Sequence, residues 1–217
     1  MNFSISTCIL AILFVARLEC QAKAEVVLAF GSPSGALQNS FNVDSNGSKI
    51  DVSVYLLDSN PLMSPLQEGL FSAGFRLNFT AGNTSIELPT PTNIAINPAF
   101  DFSSNPIVSA NSVSFDLATL DLDLGKNNPQ LLLATITFTG KTQGLSQLSL
   151  ADLNSNTNWL TFSNTEFDGF VGFSRIATLN VVAVPEPSSI LLILLAAPAL
   201  LFRRRLRQNS AEILRVD

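Results

Sequence analysis

The 217-residue sequence contains no histidine, so any acid–base chemistry would have to fall on carboxylates. The closest pair is Asp121 and Asp123 in DLDLG, with Asp116 shortly before them. Two acids two residues apart on a strand project to one face, where they could act as acid and base or simply form a solvated edge. Without histidine, Ser–His–Asp triads and His-ligated zinc are excluded. Cys8 and Cys20 both lie before residue 25. A domain that starts there therefore has no thiol nucleophile, disulfide or sulfur metal ligand, and packing alone must stabilise it.

Two binding chemistries remain. In DLNSNTN, Asp152, Asn154, Asn156 and Asn158 place an oxygen-bearing side chain at every second position. That pattern suits a hard cation and makes these four residues candidate calcium ligands. It is not an EF-hand loop, because the sixth position is Thr157 and the twelfth is Ser163. Asn- and Asp-rich stretches also make ordinary turns. Sugars need an aromatic face beside polar groups. Residues 25–184 hold thirteen Phe but a single Trp, Trp159, and a single Tyr, Tyr55. Tyr55 falls on the outward phase of its strand and Trp159 follows the Asn-rich loop, so the two are candidate glycan contacts, or structural residues. FDGFVGF at 167–173 reads either as an exposed patch or as a glycine turn that tucks its rings inward.

The elements that must position these residues are strands. FSAGFRLNF alternates with period two, which sends Phe71, Ala73, Phe75, Leu77 and Phe79 to one face and Ser72, Gly74, Arg76 and Asn78 to the other. The same alternation predicts inward Ile50, Val52, Val54 and Leu56 in KIDVSVYL. It predicts inward Val113, Phe115 and Leu117 in SVSFDL, and inward Leu132, Ala134, Ile136 and Phe138 in LLATITF. Shorter strands are predicted over 26–30, 84–88, 93–97, 145–150, 159–163 and 177–182. Turn-forming clusters such as DSNGS, TAGNT, GKNNP and GKTQG separate them. About ten short strands with no amphipathic helix make an all-β, antiparallel two-layer sandwich the expected fold.

Both ends of the chain read as addresses. Ile9 to Ala16 form an apolar run, and Ala22 and Ala24 precede Glu25 in an A-x-A-like arrangement. Residues 1–24 are therefore expected to be a signal peptide, which would take both cysteines with it when cleaved. The domain, 25–183, precedes VPEPSS and an apolar run from Ile190 to Phe202. In residues 25–184, nine Asp and four Glu stand against three Lys and two Arg, a formal charge of −8 (5 − 13). That balance argues against nucleic acid as a partner. The thirteen residues 190–202 would span only about 20 Å as a helix, against roughly 30 Å of hydrocarbon, and Pro198 interrupts them. Arg203, Arg204, Arg205 and Arg207 follow. By the positive-inside tendency these would stay cytoplasmic and leave the acidic domain outside. The expectation is a transient membrane hold, with a plain tail anchor as the alternative.

Two resemblances sharpen this. The order DVSVYL, GLFSAGFRLNF, SVSFDL, LLLATITFTGKTQGLSQLSL, roughly 52–150, resembles the cohesin-like family, which implies a jelly-roll sandwich related to carbohydrate-binding modules. Val184, Pro185, Glu186, Pro187 and Ser188, followed by the apolar run and the arginines, resemble the PEP-CTERM sorting signal of bacterial exported proteins. That resemblance covers 184–207; the tail 208–217 is longer than is usual there. It implies an exosortase-like transpeptidase as processing partner, passage through the inner membrane on 190–202, and a destination at the cell surface or in the extracellular matrix. The implied role is structural or adhesive in an exopolysaccharide layer, with the exopolysaccharide itself or a surface protein, such as a dockerin-like one, as partner. The alternative is a carbohydrate-binding module that holds exopolysaccharide. No enzymatic activity and no resident cofactor beyond the candidate calcium are expected.

Overall fold

The computed structural model describes residues 26–59, 64–80, 86–87, 89–154 and 158–184. The predicted signal peptide, Asn156, Pro185 to Ser188, the apolar run 190–202 and the arginine cluster lie outside them. The chain divides after Val182 into two units. The first holds all fourteen described strands: β1 (Val26–Gly31), β2 (Ser40–Asp44), β3 (Lys49–Asp58), β4 (Leu70–Phe79), β5 (Ile86–Glu87), β6 (Ile94–Ile96), β7 (Phe102–Ser103), β8 (Ile107–Ser109), β9 (Ser112–Ala118), β10 (Gln130–Gly140), β11 (Gly144–Asp152), β12 (Leu160–Thr161), β13 (Val171–Gly172) and β14 (Ile176–Val182).

They form two sheets. The first runs β13-β1-β3-β10-β5, with β6 also on β10; the second runs β2-β14-β11-β4-β9-β7, with β12 on β4 and β8 on β9. The β-sandwich expected from the sequence is thus present, with one correction. Two pairings are parallel, β1 with β13 and β14 with β2, whereas many short strands without amphipathic helices lead to the expectation of an antiparallel sandwich. Both partner strands, β2 and β13, are short and pair with strands far away in the chain, and local patterning does not encode which way they run.

The inner faces supply the core. Val52, Val54 and Leu56 are buried as predicted, as are Val113, Phe115 and Leu117, and Ala73, Phe75, Leu77 and Phe79. Phe75 and Phe115 lie opposite one another on β4 and β9 with rings stacked at 4.6 Å. Phe79 meets Phe138 edge to face at 6.1 Å, joining the second sheet to the first. Such aromatic pairs add about 0.5–1.5 kcal/mol beyond the area they bury.

The predicted phase fails at Leu132. The pairing of β10 with β3 slips between Leu132 and Ala134: Leu132 lies opposite Tyr55 and Ala134 opposite Val54. Leu133 is the extra residue of this bulge, so Leu131 and Leu133 are buried and Leu132 is turned to the outer face, half-buried. Phe71 departs in the same way. It sits where β12 shifts register against β4 and packs half-buried, edge to face, on Phe162 at 5.4 Å.

Candidate functional site

The Asn-rich loop is built by an interruption in one ladder. β11 and β12 follow each other along the same edge of β4, with Asp152 opposite Phe75 and Leu160 opposite Ser72. Seven residues, 153–159, thus stand where two would face Ala73 and Gly74, and among the described ones Asn158 lies over the outer face at Gly74. Gly74 makes room for it: a Cβ there would lie 2.6 Å from Asn158 Cβ. Ser72 Oγ donates to the Asn158 carbonyl at 3.1 Å, and Arg76 Nη2 donates to the Leu153 carbonyl at 3.4 Å.

Three of the four candidate calcium ligands can be placed, and they do converge. Asp152 Oδ1 accepts from Asn154 N and Asn158 Nδ2, each at 3.4 Å, while Asn158 Nδ2 also donates to the Asn154 carbonyl at 2.7 Å. Asp168, a residue that the sequence pattern does not single out, completes the group. Its Oδ1 accepts from Asn158 N at 3.2 Å and its Oδ2 from Trp159 N at 3.4 Å. Its place sixteen residues from Asp152, beyond the Asn-rich run, keeps it hidden. Three of the four carboxylate oxygens therefore accept from N–H donors that fix the loop. Among the described residues no three acidic, histidine or cysteine side chains form a metal-binding group.

The aromatic platform expected from Trp159 and Tyr55 is corrected by their burial. Trp159 is 0% and Tyr55 4% exposed. Trp159 turns inward where Asn158 turns outward, and meets Phe167 and Phe173 edge to face at 6.0 and 6.5 Å. Its Nε1 has no hydrogen-bond partner among the described residues. Tyr55 does lie on the outward phase of β3, but residues 32–37 fold back over it. Ser32 N donates to the Ala36 carbonyl, Gly31 bridges Leu37, and Tyr55 Oη donates to the Ser32 carbonyl at 2.7 Å. Trp159 could stack on a sugar only if the core opened, and Tyr55 only if the 32–37 loop came away from it. The FDGFVGF rings divide: Phe167 is buried, Phe173 packs against the core, and Phe170 is 38% exposed.

Asp121 and Asp123 lie in turns rather than on a strand, and both are exposed. Asp121 Oδ1 accepts from Asp123 N at 3.0 Å, and Asp123 pairs with Lys126 at 3.0 Å. Their carboxylates thus build the turn instead of converging on a cleft. Among the described residues, Glu68 is the group whose ionisation the fold clearly shifts. Thr161 Oγ1 donates to its Oε2 at 2.7 Å. This bond first, then one from Thr165, hold its pKa below the ordinary value; burial opposes them less strongly, and Ser163 adds a smaller lowering. Val184, the first residue of the predicted sorting motif, is exposed. Among the described residues no helix is long and apolar enough to cross a membrane, and the 190–202 run expected to do so lies outside them.

No protein-family model and no curated protein matches the sequence. Solved cohesin structures share the fold. A chain of the OlpC type I cohesin–dockerin complex from Clostridium thermocellum matches at 10% identity and TM-score 0.51, over 76% of this chain and 97% of that one. A chain of the OlpA type I cohesin–dockerin complex, also from Clostridium thermocellum, matches at 11% identity and TM-score 0.50, over 73% of this chain and 99% of that one. At such identities the likeness is one of architecture: a cohesin-like β-sandwich.

Proposed function

We propose that this chain is an exported, non-enzymatic binding module, carried to the cell exterior by its terminal signals and held in the extracellular polymer layer through a partner protein. The observation that carries the reading is the run from Val184 to Arg207, in which a Pro-Glu-Pro motif, a short apolar stretch and four arginines closely follow the last strand of the domain. A stretch too short for a comfortable permanent span, bracketed by rigid and cationic residues, suits an exosortase-like processing step. The cohesin-like fold supports a partner-binding role, since the neighbouring structures are of cohesin–dockerin complexes. The buried Trp159 and Tyr55 remove the residues on which sugar binding would have rested.

Cell fractionation and intact-mass measurement test the proposal. The extracellular form should begin at Glu25 and lack residues beyond about Pro187, and should retain a bound protein when isolated gently. Full-length chain free in the cytosol would overturn it.

A further inference from the structure

The turn DSNGS between β2 and β3 holds the chain's single Asn-Gly pair, Asn46-Gly47. An asparagine followed by glycine is open to an intramolecular reaction, because no side chain on the second residue shields its backbone nitrogen from the asparagine amide carbon. Asn46 and Gly47 are both exposed, and a Cβ built on Gly47 would meet nothing within 4 Å. Water therefore reaches the pair.

The groups that would react are nevertheless held. Residues 45–48 carry the chain from β2 in the second sheet to β3 in the first, and the end of β10 clasps them. Gly47 N donates to the Gly140 carbonyl and Gly140 N donates to the Ser48 carbonyl, each at 2.9 Å. Gly47 takes a φ of 85° to make this turn. The side chain is tied as well: Asn46 Oδ1 accepts from Ser48 N at 3.2 Å and from Ser48 Oγ. Attack on Asn46 Cγ needs the Gly47 nitrogen without its proton, and a closed ring has no proton there to donate to Gly140. The clasp must therefore open before the reaction, and ring closure keeps that bond broken.

We propose that Asn46 is a deamidation site whose rate is set by the Gly47–Gly140–Ser48 clasp. In the opened turn the Gly47 amide gives its proton to hydroxide, its nitrogen bonds to Asn46 Cγ, and the Cγ–Nδ2 bond breaks. Ammonia leaves with a proton taken from water, and a succinimide ring remains. Water then opens the ring at one or other carbonyl, which leaves aspartate at that position or, with the main chain rerouted through Cγ, isoaspartate. The aspartate still offers an oxygen to Ser48 N and Oγ. The isoaspartate lengthens the main chain by a carbon and shifts Gly47 against Gly140.

The test follows the full chain in detergent micelles at neutral pH, with the peptide acetyl-Ser-Asn-Gly-Ser-Lys-amide as the open reference. Peptide-mapping mass spectrometry reads the loss of ammonia at Asn46 and the exchange of amide for carboxyl. The folded chain should convert about tenfold or more slowly than the peptide, as opening through two backbone hydrogen bonds warrants. In Gly140→Ala the new Cβ would collide with the Asp44 carbonyl and lever the turn off β10. Conversion and hydrogen exchange of the Gly47 amide should then both rise about threefold or more, in step. Ser48→Ala keeps the backbone clasp and should change both by less. If Gly140→Ala fails to fold, mild urea on the native chain takes its place, and the two rates should again rise together. Folded chain converting as fast as the peptide, a larger effect of Ser48→Ala than of Gly140→Ala, or conversion that speeds up with no change in Gly47 exchange overturns the proposal.

Discussion

The two outer faces of the sandwich are both roofed by loops, and they are roofed by opposite means. On the first sheet a large ring, Tyr55, rises from the strand and the 32–37 loop closes on it, with the phenol hydrogen-bonded to the Ser32 carbonyl. On the second the strand withdraws to a glycine, Gly74, and the loop sends Asn158 down into the space. One roof sets backbone against an aromatic ring. The other sets a side chain over a glycine and is tied by amide hydrogen bonds to Asp152 and Asp168. Exposure on an outer face is therefore decided by what arrives from elsewhere in the chain, and not by the phase of the strand beneath.

The comparison can be broken by mutation. The largest effect belongs to Trp159, which roots the end of the Asn-rich loop in the core. Trp159→Ala should cost about 3–5 kcal/mol in urea unfolding, and a cost under about 1 kcal/mol would mean that the loop is held from outside alone. Next come the two glycines. At Gly31 a Cβ would meet the Ala36 carbonyl at 2.7 Å and the Tyr55 ring at 2.9 Å, so Gly31→Val should cost about 2–3 kcal/mol. At Gly74 a Cβ would meet the Asn158 side chain and no backbone atom, at 2.6 Å from its Cβ, and Gly74→Val should cost about 1–2 kcal/mol. The reverse order would overturn the contrast of a backbone roof and a side-chain roof.

Smaller still are the single hydrogen bonds. Tyr55→Phe should cost about 1 kcal/mol, and so should Asp152→Ala. The Asp152→Ala loss should be the same in calcium and in EDTA, because the Asp152 contacts seen are to N–H donors. Stabilisation of the native chain by calcium that vanishes in this variant would make the loop a cation site. The smallest effect concerns Glu68. Its pKa is lowered in the fold, so its contribution is present above the unfolded-state pKa and is lost as pH falls through the folded value. Glu68→Gln should flatten the acid limb of a melting-temperature profile and leave the neutral value nearly unchanged.

The same contrast explains what the sequence can disclose. The inner faces of β3, β4 and β9 are legible because a core enforces period two on every strand that borders it. At Leu133 one inserted residue reverses the phase N-terminal to it, and no residue type marks that bulge. The burial of Tyr55 is illegible because its cover comes from residues 32–37, far back in the chain. Asp168 escapes for the same reason: what binds it to Asn158 is the path of the loop, not a spacing. β7, β8 and β13 are two or three residues long, too short for any periodicity to declare them. The parallel course of β2 and β13 depends on pairings made across most of the domain.

That parallel course has a mechanical side. β14 is flanked on both edges, by β11 along Ile176 to Val181 and by β2 along Thr178 to Val182. A load entering the domain through Val182 would run along two ladders at once, so their crosswise hydrogen bonds would resist together as shear instead of parting one by one. A sandwich tethered at that end would be hard to peel apart under flow.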